Sequence, residues 1–245
     1  HHAIPRGEFH LLYQPIVDAV SAQIVGAEAL LRWQHNKHGE ILPEEFIAIA
    51  EETGLIVPIS RWVLHEACTE AARIRASGYP EFRVAVNLSA RDFSEVDLAD
   101  TIRDILAETG LPPSALEIEI TENMKIDDAA LMTMRTLNGL GVSVVVDDFG
   151  VEYSALGYLK RLPIAAVKID RTFIRDAGED QQDRAIVRAI VALARSLDLE
   201  IIAEGVETRE QWAFINELNC QRAQGFHFSR PVEARDLLGV SLRAG

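Results

Sequence analysis

The stretch VSVVVDDFG, from Val142 to Gly150, decides the fold because a β-branched run ends there in two adjacent acids and a glycine. Such a run predicts a buried strand, and the acids and glycine predict the junction of that strand with a loop. Other runs rich in Val, Ile, Leu and Ala carry polar residues at or near their ends. In a (β/α) barrel the carboxyl ends of the strands ring one mouth, so these polar residues would converge there. The other runs are AQIVGAEALLR (22–32), EFRVAVNLS (81–89), LEIEITE (116–122), AAVKID (165–170) and LEIIAEGVE (199–207).

The order of the predicted elements favours a barrel over an open sheet. The runs FHLLYQPIVD (9–18) and AQIVGAEALLRW (22–33) are separated by a few turn-prone residues and predict an antiparallel hairpin. Pro43 and Gly54 predict the two ends of one helix, and Gly78 predicts the end of the next. We count eight strands, six of them in repeating βα units. The prediction is an α/β fold, a TIM-like (β/α)8 barrel with an antiparallel first strand, and a doubly wound sheet is the alternative.

The secondary structure of three further segments can also be predicted. The polar segment HNKHGE, from His35 to Glu40, is predicted to be a loop. The run AQGFHF (223–228) is predicted to be the last strand, and a short helix is predicted after Tyr153.

Composition and charge restrict the class of protein. The chain has 245 residues, of which 48% are hydrophobic, and this is enough for one barrel-sized domain with its own core. With 38 acidic and 24 basic residues, the net charge of −14 argues against a large nucleic acid or an anionic membrane as the main partner. The two cysteines, Cys68 and Cys220, predict neither a disulfide framework nor a CxxC site, which fits a reducing cytoplasm.

The first residues predict how the chain is organised. His1 and His2, with no initiator Met, are interpreted as a tag remnant on a fragment of a longer protein. We predict a tag remnant and linker over residues 1–8 and a single domain over residues 9–245. No apolar stretch approaches the roughly 20 residues that span a bilayer, and no signal-peptide core is present. We expect a cytoplasmic location, for a free protein or for the cytoplasmic domain of a membrane-anchored parent, without direct membrane contact from this segment.

The polar residues at the strand ends predict a metal site. Because strand side chains alternate, Glu28 and Arg32 fall on one face of the second strand. Several acids at one mouth cannot all stay ionised without cations, and oxygen ligands with Asn87 point to magnesium or manganese. Two such ions suit the hydrolysis of a phosphate ester, with Lys168 acting on the water and Arg32 holding a phosphate oxygen. Helix caps and surface ion pairs are the alternative roles. The acids are Glu28, Glu119, Asp147, Asp148 and Glu204.

An ordered series of eight motifs extends over nearly the whole chain. The motifs are YQPI (13–16), EALLRW (28–33), NLS (87–89), EITE (119–122), DDFG (147–150), KID (168–170), AEGVET (203–208) and QGFHFSRP (224–231). A single EAL triplet would carry little weight, but this series, in this order, resembles the EAL-domain family of cyclic di-GMP phosphodiesterases.

The resemblance implies a function and a role for each matching residue. The function is hydrolysis of cyclic di-GMP to linear pGpG in bacterial second-messenger signalling. The domain would be fused to regulatory domains outside this fragment and would form a homodimer. Lys168 would assist the water together with Asp148, and Glu122 would steady the loop after Asp148. Gln14, Arg32 and Gln224 would bind the substrate. Two Mg²⁺ or Mn²⁺ ions would be held by Glu28, Asn87, Glu119, Asp147, Asp148 and Glu204.

Some positions depart from the family pattern. Val151 and Glu152 follow DDFG, where active members usually have Thr or Ala and then Gly. Glu at a position that needs a positive φ would cost roughly 1 kcal/mol or more, so the departure bears on rate and regulation. Gln221 and His227 also differ from the common residues. The alternative function is a receptor that binds cyclic di-GMP without cutting it, and the complete set of acids favours the enzyme.

Overall fold

Eight strands close into a barrel in the computed structural model, which describes residues 3–151, 161–177 and 180–239. A ninth strand extends the sheet outside the ring. The nine strands are β1 (Phe9–Asp18), β2 (Ile24–His35), β3 (Gly39–Ile41), β4 (Arg83–Asn87), β5 (Leu116–Thr121), β6 (Ser143–Phe149), β7 (Ala166–Ile169), β8 (Glu200–Ala203) and β9 (Arg222–Gln224).

The pairing of β1 defines the topology. β1 pairs antiparallel with β2 on one side and with β9 on the other, while the remaining neighbours in the ring pair in parallel. The β1–β2 pairing closes the ring, so the predicted TIM-like barrel with an antiparallel first strand is confirmed and the open doubly wound sheet is excluded.

Local sequence signals set the ends of the helices. The first helix has Pro43 in its first turn and ends at Gly54, whose φ of 75° gives the left-handed cap that glycine favours. Asp127, Asp180 and Thr208 each cap a helix by accepting a hydrogen bond from a backbone N–H. No helix of the described ranges has the length and apolar character needed to cross a membrane. The helices are α1 (Pro43–Thr53), α2 (Ile56–Ala76), α3 (Ala90–Phe93), α4 (Leu98–Thr109), α5 (Asp128–Leu140), α6 (Arg171–Asp176), α7 (Gln181–Ser196), α8 (Arg209–Glu217) and α9 (Ala234–Leu237).

Two local predictions were wrong. Gly39 and Glu40, predicted to be in a loop, belong to β3, which pairs with the end of β2. The last strand ends at Gln224 because Gly225 packs against another backbone, where a Cβ would lie 2.1 Å from the carbonyl oxygen of Val206. The N–H of Phe228 then donates to the carbonyl of Gly225 and closes a turn. The helix predicted after Tyr153 lies outside the described residues.

A layer of small and aliphatic side chains separates the two charged ends of the barrel. Five buried residues from five strands pack into a cluster of their own, apart from the main core between the sheet and the helices. Because strand side chains alternate, the residue two positions further along several of these strands reaches the mouth. The apolar layer therefore supports the polar mouth from below. Its members are Ile16, Ala85, Val145, Ala166 and Ile202.

Ion pairs occupy the end of the barrel opposite the mouth. Arg222, at the start of β9, donates to Glu117 at 2.7 Å and to Glu200 at 2.8 Å. Arg83 reaches the same two carboxylates, at 3.1 and 3.6 Å. Both Arg222 and Glu117 are buried, so each depends on the other for compensation of its charge.

Glu8 ties the segment before β1 to the barrel. Its buried carboxylate accepts hydrogen bonds from Trp33 Nε1 at 3.0 Å and from Asn36 Nδ2 at 3.1 Å. Ala3 and Ile4 pack against the core close by. These contacts lie within the segment predicted to be a tag remnant and linker, and that boundary stays a prediction.

We expect Glu8→Ala to lower the free energy of unfolding by about 1–3 kcal/mol, because the indole N–H and the amide lose their buried acceptor. Urea unfolding followed by circular dichroism measures the change. Glu52→Ala, an exposed position near the end of α1, is the matched control and should stay within about 0.5 kcal/mol of the parent. Equal stability of the Glu8 variant would show that the hydrogen bonds of the Glu8 carboxylate do not stabilise the domain.

Candidate active site

Lys168 lies at the centre of a ring of acids at the mouth of the barrel. Its ammonium is fully buried, and Nζ lies 2.7 Å from Glu204 Oε1 and 3.0 Å from Glu119 Oε1. Carboxylate oxygens of Glu28 and Asp147 each lie 3.4 Å away. These five residues come from or just beyond β2, β5, β6, β7 and β8, so the convergence predicted from the strand ends is present. The surface ion pair considered for Lys168 does not describe this buried residue.

The acids around Lys168 carry more negative charge than one ammonium balances. Burial would lower the pKa of Lys168, but the carboxylates of Asp147, Glu119, Glu204 and Glu28 raise it well above its usual value. Burial raises the pKa of Glu119 well above its usual value, against the opposing effect of Lys168. Burial likewise raises the pKa of Glu204 to about 8. The site would therefore gain stability from additional cations.

Two groups of three carboxylates lie close enough together to hold a metal ion. Glu28, Glu119 and Asp147 form one group, Asp147, Asp148 and Glu204 form the other, and the ligand atoms of each group lie within 4.8 Å of one another. Glu119 Oε2 is buried and accepts no hydrogen bond from the residues that the structure describes. A hard divalent ion would satisfy such an oxygen, so the donor set fits oxygen-ligated ions. Asp147 is shared by both groups.

Polar neighbours hold Glu28 in its charged form. Burial would raise the pKa of Glu28, but Lys168 and hydrogen bonds from Gln224 and Asn87 bring it below its usual value. Asn87 Nδ2 donates to one oxygen at 2.7 Å, and Gln224 Nε2 donates to the other at 2.8 Å. Gln14 lies directly opposite Glu28 in the β1–β2 pairing. The structure thus gathers four of the predicted residues around this one carboxylate.

Asp148 stands apart from the buried ring, on the solvent side. It adopts a positive φ of 53°, and its side chain is exposed. Partial burial, with added repulsion from Asp147 and Asp170, raises the pKa of Asp148 to about 6. Asp170 was not among the predicted site residues. Its signal was its place two residues after Lys168 in KID, which puts both on one face at the end of β7.

Glu122 holds the backbone that follows the two adjacent acids. Its Oε2 accepts a hydrogen bond from the N–H of Gly150 at 2.8 Å, and its own N–H donates to the carbonyl of Asp147 at 3.1 Å. Gly150 has a φ of 103°, and a Cβ there would lie 2.8 Å from Ile190 Cδ1. Because no other residue fits this position easily, Gly150 and Glu122 together determine the path of the chain past Asp148.

Two adjoining cavities open at the mouth. An acidic cleft of about 580 Å³ is lined by Glu28, Asp147, Asp148 and Glu204 among others. A more apolar cavity of about 570 Å³ shares Thr121 and Asn123 with this cleft. Arg32 lines the apolar cavity, where its Nη1 donates to the carbonyl of Leu31 at 2.8 Å and its Nε lies 3.7 Å from Glu40. Arg32 therefore lies beside the carboxylate ring and forms no ion pair with its members.

The departures from the family pattern fall in different places. Val151 is exposed and lines the acidic cleft. Glu152 lies outside the described residues. The side-chain oxygen of Gln221 accepts a hydrogen bond from the N–H of Ile201 at 2.9 Å, which extends the contact between β8 and the approach to β9. The imidazole of His227 packs 5.4 Å from the ring of Trp212, so this residue contributes to an aromatic cluster.

The chain belongs to the EAL domain family, whose family model matches residues 1–231. The bifunctional diguanylate cyclase/cyclic di-GMP phosphodiesterase MucR of Pseudomonas aeruginosa is 47% identical over 238 residues, which are 96% of this chain and 35% of that protein. The cyclic di-GMP phosphodiesterase NbdA of the same organism is 41% identical over 232 residues, 94% of this chain and 30% of that protein. The chain thus spans about a third of the length of these two curated relatives.

Solved structures share the fold over nearly the whole chain. The PaMucR phosphodiesterase in its c-di-GMP complex is similar with a TM-score of 0.91 and 46% identity, and the match covers 97% of both chains. The EAL enzyme Bd1971, in its cAMP and cyclic-di-GMP bound form, is similar with a TM-score of 0.92 and 33% identity. That match covers 97% of this chain and 66% of the other.

Proposed function

We propose that this domain is a phosphodiesterase that hydrolyses cyclic di-GMP to linear pGpG. The observation that carries the proposal is the pair of three-carboxylate groups that share Asp147 around Lys168. The relatives named as cyclic di-GMP phosphodiesterases and the c-di-GMP complex of PaMucR support the choice of substrate. An acidic cleft without cations would repel a ligand with two phosphates, so the acids favour an enzyme over a receptor that only binds it.

The proposed cofactors are two Mg²⁺ or Mn²⁺ ions. When bound, two such ions activate a water molecule and neutralise the negative charge that builds up on the phosphoryl group. The buried, unbonded oxygen of Glu119 and the raised pKa of Glu204 are what make this donor set suitable. Six residues would hold the ions: Glu28, Asn87, Glu119, Asp147, Asp148 and Glu204.

Other residues of the chain would bind and orient the reactants. Lys168, kept protonated by its neighbours, would donate a hydrogen bond to the attacking water. Glu122 would keep Asp148 in position through Gly150. Arg32 would bind a phosphate oxygen beside the apolar cavity, whose lining suits a nucleobase. Gln14 and Gln224 would complete the substrate contacts on either side of Glu28, and the side-chain oxygen of Gln224 is free among the described residues to accept a hydrogen bond.

The wider context of the domain is part of the proposal. We place the phosphodiesterase domain over residues 9–245, fused to regulatory domains and acting in the cytoplasm as a homodimer. The short span of the chain relative to MucR and NbdA supports the fusion.

Incubation of the purified protein with cyclic di-GMP and Mg²⁺ or Mn²⁺ should yield pGpG, measured by chromatography. We expect Glu28→Ala to lower the rate by more than about tenfold, because a carboxylate ligand is lost. Glu52→Ala is the control and should keep the parental rate. Binding of cyclic di-GMP without any product in either metal would contradict the enzyme and favour the receptor.

A further inference from the structure

Arg171 is the one basic residue that lines the acidic cleft within the described ranges. It follows Asp170 at the end of β7, and its side chain is exposed. None of the described residues forms an ion pair with Arg171, although seven carboxylate residues line the same cleft. The seven are Glu28, Glu44, Glu122, Asp147, Asp148, Asp170 and Glu204.

Close packing holds the base of Arg171 in place. Gly205 has a φ of 64°, and a Cβ at this position would lie 2.4 Å from Arg171 Cβ and 3.0 Å from its Cα. Gly205 directly follows Glu204, so Arg171 packs against the residue next to a proposed metal ligand. On its other side, the carboxylate of Asp170 accepts a hydrogen bond from the N–H of Thr172 at 2.8 Å. The stem of Arg171 is therefore fixed while its guanidinium is left without an anionic partner.

Arg171 and Arg32 stand on opposite sides of the barrel mouth. Arg32 is on β2, and Arg171 follows β7, and these two strands are four places apart in either direction around the ring of eight. The carboxylate ring lies between them. Arg32 already contacts Glu40 and lines the apolar cavity, whereas Arg171 lines the acidic cleft itself.

We propose that Arg171 binds the phosphate of the cyclic dinucleotide that is not being hydrolysed. This inference rests on the proposed function, in which one of the two phosphodiester groups lies at the carboxylate ring. The second phosphate is also anionic, and the cleft would repel it unless a cation faced it. A guanidinium suits this role because its fixed fork of donors matches phosphate oxygens.

A pair of substrates tests the proposal. Cyclic di-GMP carries two phosphodiester groups, whereas bis(p-nitrophenyl) phosphate carries one and has no second phosphate for Arg171 to bind. We expect Arg171→Gln to raise the KM for cyclic di-GMP by about tenfold or more, since a hydrogen bond between charged groups is lost. The kcat/KM for bis(p-nitrophenyl) phosphate should stay within about twofold of the parent. The KM of Arg171→Lys for cyclic di-GMP should lie between those of the parent and Arg171→Gln, because lysine keeps the positive charge but lacks the forked donors of the guanidinium.

Arg135→Gln is the matched control, since it removes the same charge from an exposed position on α5 and should change neither substrate. If Arg171→Gln lowered kcat/KM equally for both substrates, Arg171 would support the carboxylate ring. If it lowered kcat/KM for neither, Arg171 would not bind the phosphate. Either result overturns the proposal. Affinity for a hydrolysis-resistant phosphorothioate analogue of cyclic di-GMP, measured by calorimetry with Mg²⁺, gives a readout of binding that does not depend on turnover. If the domain were a receptor without activity, Arg171→Gln would still bind about tenfold more weakly than the parent. This outcome distinguishes a failure of the proposed reaction from a failure of this inference.

Discussion

Asp147→Asn is expected to lower the rate of cyclic di-GMP hydrolysis by about 100-fold or more. Both ions would lose a charged ligand, and together they stabilise the charge on the phosphoryl group by several kcal/mol. Asp147 is the one carboxylate that belongs to both three-carboxylate groups. Asn has the same shape but no charge, and its amide offers a single oxygen. The change therefore tests the charge at this point with little change in packing.

The measurement is the initial rate of pGpG formation over a range of Mn²⁺ concentrations, together with calorimetry of Mn²⁺ binding. We expect weaker binding at both ion sites, so that added metal does not restore the parental rate. Asp198→Asn is the control, since Asp198 is exposed near the start of β8, away from the mouth, and Asn tolerates its positive φ of 56°. A rate of the Asp147 variant within about threefold of the parent would contradict the sharing of Asp147 by two ions.

Lys168→Met is expected to lower the free energy of unfolding by about 3–5 kcal/mol in the presence of EDTA, because the buried acids lose the ammonium that compensates them. Four carboxylate oxygens lie within 3.4 Å of Nζ, and Met fills a similar volume without a charge. Added Mn²⁺ should recover much of the loss, since ions bound to the same carboxylates replace the missing positive charge.

Urea unfolding with EDTA and with Mn²⁺ measures both effects. Lys37→Met, an exposed position in the loop before β3, is the control and should match the parent in both buffers. A Lys168 variant as stable as the parent in EDTA would mean that the acids are protonated in the folded protein and need no cation. A loss that Mn²⁺ does not reduce would argue against metal binding by these residues.

Much of the fold could be predicted because it depends on short-range patterns. The turn-prone residues between the first two runs predicted the β1–β2 hairpin, and Pro43 with Gly54 predicted both ends of α1. The prediction failed in two places. The polar segment after β2 turns back at once, so that Gly39–Ile41 pairs with the adjacent end of β2, and β9 stops early because Gly225 packs on the more distant backbone of Val206.

The candidate site, like the fold, could be predicted only in part from the sequence. Because the carboxyl ends of barrel strands ring one mouth, the sequence predicted that Glu28, on the second strand, would meet Glu119, Asp147 and Lys168 of later strands there. The period-two pattern placed Asp170 on the same face as Lys168, but the sequence did not show that Asp170 would raise the pKa of Asp148 or that Gly205 would pack against Arg171. Those contacts join residues at or beyond the ends of different strands, and periodicity along one strand does not connect them.

By itself the sequence determined the order of the eight barrel strands along the chain, the polar residue types at the mouth and the family to which the chain belongs. Only the tertiary structure decided that Lys168 is fully buried among four carboxylates and that Asp147 serves both groups. The physical reason is that alternation along a strand is a local property, whereas closure of the ring by β1 sets the distances between side chains on different strands.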